Sequence, residues 1–175
     1  GLSLMSETLN LASMAETPLT IVNVMRGGPS TGLPTKTEQS DLKFAIYGTS
    51  GESPRVIMAP LDIYDCFWQT VRAVRIAEKY QLPVIVLTDQ ALAYTSQNIP
   101  RPDFSQVERG ERLQPPPGAT RENFSRYAVT ESGISPMPIP GVHDLPYMGT
   151  GLEHNEKGDP NYTPENHELM TAQRF

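Results

Sequence analysis

The sequence predicts an α/β fold with a partial parallel sheet and flanking helices, followed by a long proline-rich extended arm. In the first half of the chain, short β-branched runs of strand length alternate with amphipathic helical patterns, as in right-handed crossover units. Prolines are concentrated in the second half, where eleven of the 17 follow Gln97. We therefore divide the chain into an α/β part at residues 1–96 and an arm at residues 97–175.

The first predicted elements are a helix and a strand. Apolar residues recur at three- and four-residue intervals from Leu2 to Ala12, which indicates an amphipathic helix that Pro18 ends. The run Leu19–Met25 is almost continuously apolar and β-branched. Such a run is typical of a strand that is buried on both faces of a parallel sheet.

The next predicted elements continue this alternation. We expect a short helix at residues 38–47, a buried strand at residues 55–59 and a long helix that Asp62 caps and that runs to Tyr80. The long helix has a predicted buried face: Ile63, Cys66, Phe67, Thr70, Val71, Val74 and Ala77. A third strand follows at residues 84–87. Three strands are few beside the about five or six of a typical sheet, so we expect an incomplete sheet.

The arm at residues 97–175 lacks the pattern of a helix or of a central strand. Three consecutive prolines and a segment of alternating prolines exclude both structures there. Its aromatic and aliphatic residues favour an extended arm on a neighbouring surface over a disordered tail. Residues 164–175 are predicted to begin another helix.

The composition excludes several classes of function. The net charge of −6, without a clustered excess of Lys and Arg, argues against nucleic-acid binding. No apolar run is long enough to span a membrane. Cys66 is the only cysteine, which excludes an intrachain disulfide and a cysteine-only iron–sulfur site within the chain. We expect a cytoplasmic protein in which Cys66 is a buried, inert thiol rather than a nucleophile.

The segment that follows the first strand is the predicted ligand site, because ligands of open α/β sheets bind beyond the carboxyl ends of the strands. Arg26 begins this segment and is followed by glycines and hydroxyl residues: Gly27, Gly28, Ser30, Thr31 and Gly32. Glycines let the backbone turn its N–H groups towards an anion, and Arg26 can bind a carboxylate with two parallel hydrogen bonds. The alternative is a surface turn that only links strand and helix.

Other binding motifs are absent or disfavoured. The loop is not a phosphate-binding P-loop, because Leu33 stands where that motif requires lysine and Lys36 comes three residues later. The histidines, His143, His154 and His167, are too widely spaced for a zinc motif. We interpret them as solvated or interface groups and predict no metal ligand, although the Glu-His-Asn-Glu segment around His154 could in principle bind a metal. Asp89, after the third strand, is predicted to cap a short helix rather than to contact a ligand.

Three stretches carry a resemblance to a known family: GLSLMSE at the N-terminus, RGGPSTGLPTKTEQSD from Arg26 to Asp41, and TGLEHNE from Thr150 to Glu156. They resemble the α subunit of 2-oxoacid:ferredoxin oxidoreductases, especially of the 2-oxoglutarate type. The resemblance spans nearly the whole chain. It implies the thiamine-diphosphate-binding fold, with residues 1–96 as the C-terminal part of the pyrimidine-binding domain.

This resemblance implies a reaction and a set of contacts. A 2-oxoacid, most closely 2-oxoglutarate, is decarboxylated, its acyl group is joined to coenzyme A, and two electrons pass to ferredoxin. Arg26 contacts the substrate carboxylate, and Thr31 lies near the substrate's side chain. The rest of the loop is a possible contact for substrate or cofactor: Gly27, Gly28, Ser30 and Gly32. The implied assembly is a hetero-oligomer with thiamine diphosphate, in which a β subunit holds Mg²⁺ and a [4Fe–4S] cluster.

The resemblance assigns no catalytic residue to this chain. The glutamate that hydrogen-bonds the aminopyrimidine and the threonine of a Y-P-I-T-P type motif are expected upstream of Gly1. We therefore expect a piece of a longer polypeptide that is inactive alone. The alternative from another functional class is a non-catalytic anion-binding or assembly module that docks a partner subunit.

Overall fold

The computed structural model describes residues 1–141 and 144–175, and its α/β part is built on three parallel strands. These are β1 (Leu19–Met25), β2 (Val56–Met58) and β3 (Pro83–Asp89). The strand order is β1–β3–β2, so β3 is the central strand and pairs with both neighbours. The predicted α/β fold with a small parallel sheet is confirmed.

Helices follow or precede each strand. A 3₁₀ turn at Leu2–Met5 continues directly into α1 (Ser6–Met14). The other α-helices of the described chain are α2 (Leu42–Tyr47), α3 (Ile63–Tyr80), α4 (Gln90–Tyr94) and α5 (Pro164–Arg174). The predicted helix near the C-terminus is thus present, and Thr163 caps it by accepting a hydrogen bond from the Asn166 N–H.

Burial differs sharply between the strands. β3 is buried over nearly its whole length, whereas Val22 and Val24 of β1 are 53% and 44% exposed. The prediction that β1 is buried on both faces is therefore wrong. β1 lies at the edge of the sheet, and only the face that carries Ile21 and Met25 is covered. Apolar composition alone does not distinguish a central strand from an edge strand.

Two core layers cover the two faces of the sheet. On one face, residues of the N-terminal turn, α1 and α2 pack against β1 and β3: Leu2, Leu9, Ala45, Ile21, Met25, Ile85 and Leu87. On the other face, Ala73 and Ala77 of α3 pack against Val84 and Val86 of β3. Alternate residues of β3 point to opposite faces, so this strand contributes to both layers.

Helix α3 begins where the sequence predicts, but its buried residues match the predicted face only in part. The Asp65 N–H donates to Asp62 Oδ1 over 2.8 Å, which confirms Asp62 as the cap. Ala77 is buried as predicted, whereas Thr70 and Val74 of the predicted face are exposed, and Ala73, which lies outside that face, is buried. Small side chains let the helix approach the sheet closely, so the size of these side chains determines which residues are buried more than their hydropathy does.

Helix α2 begins four residues later than predicted, at Leu42 instead of at residue 38. The residues before it are engaged elsewhere: the Gly28 N–H donates to Glu38, Gln39 donates to Asp89, and Asn23 donates to Asp41. These contacts hold residues 38–41 in an extended course beside the sheet. They could not be made from a helix that started at residue 38.

The proline-rich arm has little regular structure, but part of it packs on its own chain. Between α4 and α5 the described residues form one short 3₁₀ turn, Phe104–Gln106. The sequence predicts an arm on a neighbouring surface, whereas Arg126, Tyr127 and His154 are fully buried within this chain. The division at residue 96 stays a prediction. Across residues 1–141 and 144–175, no helix has the length and apolar character needed to cross a membrane.

Candidate functional site

The carboxyl ends of β1 and β3 lie side by side, because Met25 and Asp89 are paired in the parallel register. The glycine-rich loop at residues 26–38 leaves the sheet at this point. A cleft of about 660 Å³ opens between the loop, the end of β1, the start of α2 and the N-terminal turn. We call it the Arg26 cleft. Arg26, Gly27, Gly28 and Ser30 line it, as the sequence predicts for a ligand site at this edge.

The loop is held by hydrogen bonds to itself. The Gly27 N–H donates to Lys36 O, and the Leu33 N–H donates to Gly27 O, each over 2.9 Å. The Gly28 N–H donates to the Glu38 carboxylate over 3.0 Å. The N–H groups of Gly27 and Gly28 are therefore satisfied within the loop, which leaves side chains as the main groups that can bind a ligand.

Gly32 is the glycine that this loop geometry requires most clearly. Its φ of +53° lies in the left-handed region, and a Cβ atom there would lie 2.2 Å from Gly27 O. Gly28, in contrast, has open space where a Cβ would be. The run of glycines thus combines a residue needed for the turn with a residue that only borders the cleft.

Arg26 and the two hydroxyl residues are all exposed. Among the described residues, Arg26 forms no ion pair and donates no side-chain hydrogen bond, so its guanidinium is available to a ligand. Ser30 lines the cleft, whereas Thr31 is not part of the described wall. The structure thus brings four of the six predicted site residues to the cleft wall, and Thr31 and Gly32 lie outside the described wall.

Two side-chain hydrogen bonds that the sequence does not predict connect the elements around the cleft. The Asn23 side-chain amide donates to Asp41 Oδ2 over 2.8 Å, which ties β1 to the start of α2. Gln39 donates to Asp89, which ties the end of the loop to β3. Asn23 carried a usable signal, because it is the polar residue within the apolar run of β1. Gln39 and Asp89 carried none, since they are 50 residues apart in the chain.

Asp89 caps α4, as predicted, and also accepts the hydrogen bond from Gln39. Its Oδ1 accepts a hydrogen bond from the Leu92 N–H over 2.8 Å, which confirms it as the cap of α4. Hydrogen bonds from the Leu92 N–H and from the Gln39 amide lower the pKa of Asp89. Its carboxylate therefore stabilises both the start of α4 and the end of the loop.

Cys66 lies on α3, outside the cleft. It is half-buried rather than buried as predicted. Burial raises the pKa of its thiol, and the neighbouring carboxylates Asp65 and Asp62 raise it further. A thiol that is protonated at neutral pH is a poor nucleophile, so these surroundings agree with the prediction of an inert cysteine.

Of the two described histidines, His167 agrees with the prediction of a solvated group and His154 does not. His154 is fully buried, not solvated, and its ring nitrogens lie 3.0 and 3.1 Å from the carbonyl oxygens of Asn155 and Met14. His167 is exposed and pairs with Glu153. His143 lies outside the described residues. Within the described part of the chain, no three His, Cys, Asp or Glu side chains are grouped as metal ligands.

Comparisons with known proteins identify the family of the chain. The family model described as pyruvate flavodoxin/ferredoxin oxidoreductase, thiamine diphosphate-binding, matches residues 1–173. The chain is 45% identical to the 2-oxoglutarate oxidoreductase subunit KorA of Mycobacterium tuberculosis, over 99% of this chain and 26% of that protein. It is 39% identical to the 2-oxoglutarate synthase subunit KorA of Methanothermobacter thermautotrophicus, over 97% of this chain and 44% of that protein. It thus spans less than half of these curated relatives.

A solved structure shows the same fold. It is the 2-oxoglutarate:ferredoxin oxidoreductase from Magnetococcus marinus with 2-oxoglutarate, coenzyme A and succinyl-CoA bound. The two chains are 51% identical with a TM-score of 0.94, over 99% of this chain and 30% of the other. The predicted resemblance is confirmed. The chain belongs to the thiamine-diphosphate-binding family of the pyruvate flavodoxin/ferredoxin oxidoreductases.

Proposed function

We propose that this chain is part of the α subunit of a 2-oxoacid:ferredoxin oxidoreductase. The reaction is the oxidative decarboxylation of 2-oxoglutarate, with transfer of the succinyl group to coenzyme A and of two electrons to ferredoxin. The names of the relatives and the ligands bound to the Magnetococcus enzyme support this proposal. The chain contributes one wall of the active site and is inactive without the remainder of the complex.

The exposed guanidinium of Arg26 is the observation that carries the proposal. It lies just beyond the carboxyl end of β1, on the wall of a cleft, and forms no ion pair with the described residues. A guanidinium binds a carboxylate through two parallel N–H donors, which sets the orientation of the bound acid as well as its position. We infer that Arg26 orients the 2-oxoacid for attack at its 2-oxo carbon. Thr31 is proposed to lie near the substrate's side chain.

The remaining loop residues have a supporting role in this proposal. Gly32 permits the turn, and Gly27 and Gly28 bring the backbone close to the cleft without occupying it. The Ser30 hydroxyl lies on the cleft wall and can donate a hydrogen bond to a ligand oxygen. The loop thus binds and orients the substrate, and no proton transfer or bond cleavage is assigned to it.

The donor set of the cleft fits an organic acid better than it fits a diphosphate. Its carboxylates Glu38 and Asp41 already accept hydrogen bonds from Gly28 and Asn23, and Arg26 is the basic side chain of the described cleft wall. One guanidinium matches one carboxylate, whereas a diphosphate carries more charge than it can pair. Thiamine diphosphate, when bound, supplies the nucleophilic carbon of the reaction. We propose that the diphosphate and Mg²⁺ are held by a β subunit.

The iron–sulfur cluster of the proposed reaction also requires residues outside this chain. A [4Fe–4S] cluster is held by four thiolates, and Cys66 is the only cysteine among these 175 residues. We propose that the β subunit carries the cluster and that ferredoxin accepts the electrons there. A free cysteine and the proposed partners favour a cytoplasmic hetero-oligomer.

A non-catalytic anion-binding or assembly module is the second candidate. It would use the same exposed Arg26 and the same loop to dock an acidic group of a partner subunit. Both candidates predict association, so association alone does not distinguish them. They differ in whether Arg26 affects turnover after assembly.

The test is the replacement Arg26→Ala in the complete complex, with Arg72→Ala as a matched control. Arg72 is also an exposed arginine, but it lies on α3, outside the Arg26 cleft. We expect Arg26→Ala to lower kcat/KM by about 100-fold in 2-oxoglutarate-dependent reduction of a viologen dye with coenzyme A present, which corresponds to about 3 kcal/mol. Size-exclusion chromatography should show unchanged assembly. Unchanged turnover in Arg26→Ala would contradict the enzymatic role of Arg26, and weakened assembly with normal turnover of the assembled complex would support the assembly module.

A further inference from the structure

The C-terminal end of α1 contacts three buried ionisable side chains that the proposed function does not use. Glu16, Arg126 and His154 are 6%, 1% and 0% exposed. Arg126 and His154 come from the arm, whereas Glu16 follows α1. Burial of such groups costs free energy unless they are paired, so their contacts indicate what they do. We call these three residues the α1 clamp.

Two residues of the clamp, His154 and Arg126, donate hydrogen bonds to backbone oxygens at the end of α1 and just beyond it. His154 Nε2 lies 3.1 Å from the carbonyl oxygen of Met14, the last residue of the helix. Arg126 Nη2 donates to the carbonyl oxygen of Glu16 over 2.8 Å. The last carbonyls of a helix have no partner within it, and positive charge is favourable there. Backbone N–H groups already donate to the carbonyl oxygens of Leu11, Ala12 and Ser13, so His154 supplies a donor for the remaining carbonyl of the last turn, that of Met14.

Aromatic rings hold both donors in position. The Arg126 guanidinium lies over the rings of Tyr127 and Tyr147, 4.8 and 5.5 Å from their centroids. The His154 ring lies 4.0 Å from Tyr127, centroid to centroid. Tyr127 is itself fully buried. Because neither donor can move freely, the position of the α1 carbonyls is fixed relative to the arm.

The other end of the same helical segment borders the Arg26 cleft. The 3₁₀ turn at Leu2–Met5 runs into α1 without a break, and Gly1, Leu2 and Ser3 line the cleft. Leu2 packs in the same core layer as Met25, the residue before Arg26. The segment from Leu2 to Met14 is about 20 Å long at the usual rise per residue. A stiff segment of this length transmits a shift at one end to the other.

We propose that Arg126 and His154 are positioning residues for the Arg26 cleft. They hold the last carbonyl of α1 and the backbone two residues beyond it, and so fix the N-terminal turn as one wall of the cleft, although neither residue touches the substrate. The proposal rests on the proposed function and gives a role to the segment Thr150–Glu156, which contains His154. It makes the arm a structural part of the substrate site.

The test compares His154→Gln with His154→Asn in the complete complex. The glutamine side chain can place its amide nitrogen near the position of Nε2 and keep the hydrogen bond to Met14, whereas asparagine is too short. We expect His154→Asn to raise KM for 2-oxoglutarate about tenfold while kcat changes less than threefold. We also expect hydrogen exchange of the amides in residues 6–14 to become about tenfold faster. Both quantities should return to within threefold of the wild type in His154→Gln.

Two results would overturn the proposal. One is that His154→Asn and His154→Gln have the same KM for 2-oxoglutarate and the same amide hydrogen exchange. The other is that hydrogen exchange becomes faster only in the arm, while the amides of α1 stay protected. If His154→Asn does not assemble, Arg126→Lys is measured in the same way, with the same expected direction and the same criteria. Hydrogen exchange needs no turnover. A wild-type complex without 2-oxoglutarate activity would therefore contradict the proposed function, while the exchange data would still test the clamp.

Discussion

Arg26 and Arg126 lie near opposite ends of β1 and have opposite surroundings. Arg26 follows the carboxyl end of the strand, is exposed and forms no ion pair with the described residues. Arg126 contacts Glu16, which precedes the strand, and is 1% exposed. A strand of seven residues separates the two sites by about 23 Å. The buried arginine binds the protein's own backbone, and the exposed arginine is free to bind a ligand.

The largest predicted effect is a loss of stability when the buried arginine, Arg126, is replaced. Arg126→Ala should lower the free energy of unfolding by about 3–5 kcal/mol, because it leaves Glu16 buried without its cation. Arg26→Ala should change it by less than about 0.5 kcal/mol, as is usual at exposed sites. Urea unfolding of the complete polypeptide measures both values. Similar losses in the two variants would show that Arg26 has a structural role.

The second prediction compares two glycines of the loop. Gly32→Ala should lower the free energy of unfolding by about 1–3 kcal/mol, since its positive φ and the carbonyl of Gly27 both disfavour a side chain. Gly28→Ala should cost less than about 1 kcal/mol, because a Cβ there meets open space. The measurement is again urea unfolding. Equal costs would contradict the described turn at Gly32.

The third prediction concerns how the contribution of Asp89 to stability depends on pH. The folded-state pKa of Asp89 is lowered by hydrogen bonds from Leu92 and Gln39. Its contribution to stability is therefore present above its unfolded-state pKa and is lost as pH falls through the lowered pKa. Asp89→Ala should cost about 1 kcal/mol at neutral pH and progressively less in acid. A cost that does not change with pH would contradict this assignment.

The smallest predicted effect concerns Glu16, near the other end of β1, whose pKa is shifted in the opposite direction from that of Asp89. Burial raises the pKa of Glu16, although Arg126 opposes the shift. The contribution of Glu16 to stability is therefore full below its unfolded-state pKa and declines as pH rises through the raised folded-state pKa. The unfolding free energy of the wild type should fall relative to that of Glu16→Gln as pH rises from the ordinary carboxyl range. Parallel pH profiles would exclude the raised pKa.

Local sequence signals predicted much of the fold and part of the candidate site. The run at Leu19–Met25 is a strand, Asp62 and Asp89 cap helices, and the loop after β1 borders a cleft. Each of these features depends on residues that are close together in the chain. A periodic pattern, a cap or a glycine-rich loop can therefore be identified without knowing what packs against it.

The errors all involve contacts between distant segments. On α3 the sequence predicts buried Thr70 and Val74, whereas the small Ala73 lies against the sheet together with the predicted Ala77. The start of α2 was misassigned because Asn23 binds Asp41. His154 is predicted to be a solvated or interface group because nothing near it in the sequence indicates that it will reach Met14. Hydropathy describes a residue, whereas burial depends on which surfaces meet.

The amino-acid sequence by itself determined the order of the elements, the family resemblance and the presence of an arginine in a glycine-rich loop after β1. The tertiary structure alone decided that Arg26 is free while Arg126 is enclosed with Glu16 and two tyrosine rings. Both side chains have the same charge and the same intrinsic cost of burial. Their difference arises because the arm folds back over the end of α1 at Arg126, while the described chain leaves the Arg26 cleft open.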